Sequence, residues 1–140
     1  MNTKRIILAS VIIWLVSTAF TWLTCGWLFT WVYEIPPMIW LPPEEMMSTN
    51  SLVLSNIFGI VISFIFTLVY AVLYKGIPGK GFKKGMIYGI LLWLVGALSG
   101  LITMPFYMTI ATAVISYWII SSLALNLING AILGAIYKTK

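Results

Sequence analysis

The sequence predicts an all-α integral membrane protein, a bundle of four transmembrane helices, and three observations lead there. Of 140 residues, 61% are hydrophobic and only 8% charged, where soluble domains are roughly 45–50% apolar and about 25% charged. The charges gather in a few short clusters. Between them run uncharged stretches long enough for four crossings of a hydrocarbon core ~30 Å thick, each needing about 20 helical residues. Lipid offers no partner to open backbone groups, so the crossings are helices.

The first span, residues 6–32, follows Lys4 and Arg5. It is far longer than the ~7–15 apolar residues of a signal peptide and is read as a retained helix. Residues 33–50 form an outer loop, "YEIPPMIWLPPEEMMSTN", whose proline pairs disfavour regular helix and stiffen the chain toward an extended form. Ser48, Thr49, Asn50 and Ser51 offer caps for the second span, 51–74. A basic loop, 75–84, leads to an uncharged run from Gly85 to Tyr137, too long for one crossing. Pro105 removes a backbone donor and divides that run into a third span at 85–104 and a fourth at 111–137.

All eight basic residues lie near the N-terminus (Lys4, Arg5), in the 75–84 loop (Lys75, Lys80, Lys83, Lys84) or at the C-terminus (Lys138, Lys140). Four spans put these places on one side, the cytoplasmic side by the positive-inside rule. The three acids, Glu34, Glu44 and Glu45, fall on the other. The expected location is the cell (inner or plasma) membrane, with both termini in the cytoplasm. Lys80, Lys83 and Lys84 are expected to meet anionic lipid headgroups, each adding on the order of 1 kcal/mol. The same loop, "YKGIPGKGFKKG", spaces Gly76 and Gly81 as a phosphate-binding loop does. However, Phe82 stands where the lysine is needed and Lys83 where a serine or threonine is needed, so it reads as a hinge.

The chain repeats itself. "KRIILASVIIWLV" (Lys4–Val16) lies over "KKGMIYGILLWLV" (Lys83–Val95) at an offset of 79, and "AVLYK" (Ala71–Lys75) over "GAIYK" (Gly134–Lys138) at 63. The bundle is therefore read as a duplicated two-helix hairpin, a parallel repeat about a pseudo-twofold axis along the membrane normal. Trp14 and Trp93 fall on equivalent positions. Small-residue spacings at Gly85/Gly89, Gly96/Gly100 and Gly130/Gly134 mark faces for close helix packing. Homodimerisation through one of these faces is a minor alternative.

Chemistry is bounded by absences. There is no histidine, Cys25 is the sole cysteine, and no carboxylate or lysine interrupts a span. Bases, metal clusters and nucleophile pairs cannot be assembled from this inventory, so no catalytic residue, metal or cofactor is expected, and Cys25 reads as a small packing residue. Nucleic acid is not an expected partner. The leading functional expectation is a non-enzymatic accessory or scaffold component binding another membrane protein, with Trp40, Glu44 and Glu45 of the outer loop as its docking residues. The alternative is a small transporter, channel or binder of a lipid or small neutral ligand, using a polar interior of Ser63, Ser122, Asn126 and Asn129. These four could equally serve as interhelical hydrogen bonds.

Overall fold

The computed structural model describes residues 3–137, and among these the chain is all-helical. Lys138 and Lys140, assigned above to the basic C-terminal cluster, lie outside the described residues. Four helices are long and apolar enough to cross a membrane: α1 (Thr3–Leu28), α2 (Thr49–Leu73), α3 (Gly81–Phe106) and α4 (Thr112–Ile136). At 1.5 Å per residue each is about 37–39 Å long, more than the ~30 Å hydrocarbon core requires.

The boundaries differ from the uncharged runs in an instructive way. α1 widens into a π-helical turn at Thr24–Leu28, and the chain then tightens into a 3-10 turn at Thr30–Glu34. The first apolar run thus contains a helix and a bend, because hydrophobicity continues past the point where helical hydrogen bonding stops. α3 begins at Gly81 and takes Lys83 and Lys84 into its first turn. It also carries a π-helical stretch, Trp93–Leu98, and closes through a 3-10 turn at Met104–Phe106 that accommodates Pro105. In the outer loop Pro43 begins a single helical turn, Pro43–Met46, its fixed φ suiting the first helical position. Ser48 caps α2 as expected, its hydroxyl accepting from the Ser51 amide at 3.3 Å. In the basic loop positive φ falls at Gly79 (90°) and Gly81 (54°), which turn the chain between α2 and α3.

α3 and α4 share the most extensive interface, α1 pairs with α2, and α1 also touches α4. The α3–α4 contact rests on facing glycines. A methyl group on Gly85 would overlap the Gly130 carbonyl, and one on Gly89 the Asn126 carbonyl, so the backbones meet directly. Gly134 packs the same way against Gly81 and Gly85. Gly96 and Gly100 correct the expectation. Nothing lies within 4 Å of a Cβ at either, because the half of α3 beyond Trp93 diverges from its neighbours.

The buried core sits at the end that carries the basic loop. Ile6, Ala9 and Ile13 of α1 meet Tyr70 of α2, Ile77 of the loop, Tyr88 of α3, and Leu133 and Tyr137 at the end of α4. The Tyr70 ring stands edge-on to Tyr88 (5.1 Å between centroids), Tyr74 (5.6 Å) and Tyr137 (5.8 Å). Tyr88 donates its phenol proton to the Phe66 carbonyl at 2.6 Å, tying α3 to α2.

Candidate functional site

At the opposite end, which carries Glu34, Glu44 and Glu45, the helices part and leave three adjoining cavities. The largest, about 710 Å³, lies between α1 and the outer loop. Thr21, Trp22, Cys25 and Gly26 of α1, with Thr30 and Tyr33 of the bend, form one wall; Met38, Trp40, Leu41, Pro42, Pro43, Met46 and Met47 form the other. The second, about 250 Å³, shares Thr21 and Cys25 with it and reaches Leu101, Trp118 and Ser122. The third, about 530 Å³, shares Phe20, Thr24, Tyr117 and Ser121 with the second.

The π-helical turn of α1 sets the geometry. Thr24 donates back to the Phe20 carbonyl at 2.8 Å and sits 3.8 Å from the Cys25 sulfur. The widened turn aims Cys25 across to α4, where its sulfur lies 3.3 Å from the Tyr117 hydroxyl. Phe29 covers the Tyr117 ring at 4.8 Å. The outer loop is held down by Trp40, whose indole N–H donates to the Val32 carbonyl at 3.2 Å. Its ring stands edge-on to Tyr33 (4.8 Å) and Trp118 (6.0 Å), roofing the cavity. Burial pushes the Tyr33 phenol above its ordinary pKa, and neighbouring Cys25 acts in the same direction.

The residues singled out from the sequence fall as follows. Trp40 folds back onto the bundle, and Glu44 and Glu45 lie exposed on the Pro43–Met46 turn. Asn129 donates to the Ser17 hydroxyl at 2.9 Å, joining α4 to α1, while its carbonyl oxygen is buried without a partner. Asn126 donates to the Ser122 carbonyl within α4 at 2.9 Å. The Ser122 hydroxyl accepts from the Trp93 indole at 3.1 Å. Ser63 is buried on α2, one turn before Thr67, which donates to its carbonyl at 2.9 Å. Of these four only Ser122 lines one of the three cavities. Trp14 packs on Gly59, where a Cβ would stand 3.1 Å from its ring, and its indole N–H has no partner.

Lys80 and Lys83 are exposed, as headgroup contact requires, but Lys84 corrects the expectation. It is only 8% exposed, and its ammonium lies 4.1 Å over the Tyr74 ring. A desolvated cation on an aromatic face gains up to about 2 kcal/mol, which offsets part of its burial. Cys25, Thr24 and Tyr117, where the cavities adjoin, and Tyr33 of the first cavity escaped sequence reasoning as site residues. Cys25 alone was considered there, as packing. The only available signal was a cluster of hydroxyls and a thiol at one helix end.

The architecture defines the class: among the described residues, an all-helical chain with four helices long and apolar enough to span a membrane. No protein-family model, curated protein or solved structure matches the chain.

Proposed function

We propose that this is a non-enzymatic multi-pass membrane protein that binds an apolar or amphiphilic small molecule in the crevices at its acidic end. In this reading it resides in the cell membrane with both termini in the cytoplasm, and Lys80 and Lys83 contact anionic headgroups. The observation that carries it is the 710 Å³ cavity, within the 300–1,000 Å³ typical of ligand sites and walled by aromatic rings and methionines. Methionine side chains are soft and adapt to apolar ligands of varied shape.

A duplicated hairpin underlies the bundle in the same proposal, and three contacts support it. Trp14 meets Gly59, and Trp93 meets Ser122; the offsets 79 and 63 carry the first pair onto the second. Tyr74 and Tyr137, equivalent at 63, meet edge-on with their ring centroids 5.4 Å apart, as residues beside a twofold axis can.

A second reading, the accessory component, is favoured by the open side of α3, where Gly96, Ser99, Gly100 and Thr103 are all exposed. Such a face admits close approach of another helix. Native mass spectrometry of the tagged protein, extracted gently from its own membranes, separates the two. The ligand reading expects a discrete small-molecule mass on the chain. A defined additional protein mass, weakened by Trp40→Ala and unaccompanied by small molecule, overturns it in favour of the accessory role.

A further inference from the structure

We infer that the acidic-end cavity selects an uncharged single-chain or single-ring amphiphile, its hydroxyl or carbonyl end beside Thr30 and Tyr33 and its apolar body against Trp22, Trp40 and Met46. This rests on the ligand-binding reading above and names the ligand's chemistry.

Size is the first argument. At roughly 30 Å³ per heavy atom, the volume a water molecule occupies in the liquid, a cavity of about 710 Å³ admits on the order of 20 heavy atoms. That suits one acyl or isoprenoid chain or a small ring system; a two-chain phospholipid, with more than twice as many atoms, would extend beyond this cavity.

Charge is the second. The residues lining the three cavities include no Asp, Glu, Lys or Arg. A charged headgroup drawn among these walls would lose its hydration without gaining an ionic partner, a cost far above that of a hydroxyl that finds a hydrogen bond. An anion meets a further obstacle, since Glu34, Glu44 and Glu45 all lie at this end and every basic residue described lies at the other. A cation finds these carboxylates only on the exposed outside of the loop, not in the cavity wall.

The polar groups that do line the cavity form the third argument. Thr21, Thr30, Tyr33 and Cys25 are neutral and cluster on the α1 side, facing methionine and tryptophan. A site with hydroxyls at one wall and thioethers and the Trp40 indole at the other matches a molecule with one neutral polar end. The Tyr33 phenol, protonated at neutral pH like any tyrosine, supplies an O–H donor at this wall.

Cys25 makes the inference testable without any substitution, because it is the only thiol of these 140 residues and lines the cavity. The rate of its alkylation by N-ethylmaleimide, read as an intact-mass shift, is measured with dodecanol, dodecanoate or dodecyltrimethylammonium at equal concentrations. Dodecanol is expected to slow alkylation about fivefold or more, and the two ions less than about twofold. Tryptophan quenching by brominated versions of the three probes is the second readout. In Tyr33→Phe the affinity for the brominated alcohol should fall about three- to tenfold, the worth of one hydrogen bond, while the ions are unaffected. Equal or stronger protection by either ion overturns selection for an uncharged ligand and leaves the binding reading standing. No saturable effect of any probe in either readout overturns both.

Discussion

A methyl group on Gly85 would overlap the Gly130 carbonyl, whereas one on Gly96, three helical turns further along α3, would meet nothing within 4 Å. The same helix is thus packed backbone to backbone at the basic end and stands free at the acidic end. The interlocked tyrosines 70, 74, 88 and 137 fill the basic end, and three cavities occupy the acidic one. In lipid no hydrophobic force drives helices together, so they close only where small residues or hydrogen bonds give a reason. A bundle clamped at one end can therefore hold its other end open for a ligand without coming apart.

The glycine contrast is the sharpest way to break this comparison. Gly85→Ala is expected to destabilise by about 1–3 kcal/mol, since α3 and α4 must separate to admit the methyl group. Gly96→Ala and Gly100→Ala should shift stability by no more than about 1 kcal/mol, toward greater stability, through helix propensity alone. Denaturant unfolding in mild detergent measures both; equal losses at Gly85 and Gly96 would mean that the acidic end is closed too.

Two tyrosines of the basic end sharpen it next. Tyr88→Phe removes the 2.6 Å hydrogen bond to Phe66 and should cost about 0.6–2 kcal/mol. Tyr70→Phe removes a buried hydroxyl that has no partner and should be neutral or slightly stabilising in the same assay.

The paired tryptophans test the proposed duplication. Trp93→Phe gives up bonds to Ser122 and to the Ile119 carbonyl and should lose about 0.6–1.7 kcal/mol. Trp14→Phe gives up no indole hydrogen bond and should lose less. Ser17→Ala, which strips the acceptor from Asn129, should lose about 0.6 kcal/mol, and the same unfolding midpoints report it.

Much of this architecture was legible from the chain, and the candidate site was not. Four helices long and apolar enough to cross a membrane, the helix break at Pro105, the Ser48 cap and the separation of acidic from basic ends follow from the sequence alone. Each depends on local chemistry: a charge resists lipid, proline lacks a donor, and a serine hydroxyl satisfies a helix start. Which glycine faces find a neighbour was decided only in three dimensions. Gly85/Gly89 and Gly96/Gly100 have the same spacing, and periodicity describes a face without saying what lies opposite it. Lys84 belongs to the same class. Its neighbours Lys80 and Lys83 are exposed, but Lys84 falls on the inward side of the first turn of α3 and lies over Tyr74, just past the end of α2. The cavities too belong to tertiary structure alone, because empty space arises from how helices diverge, and no residue in the sequence encodes it by itself.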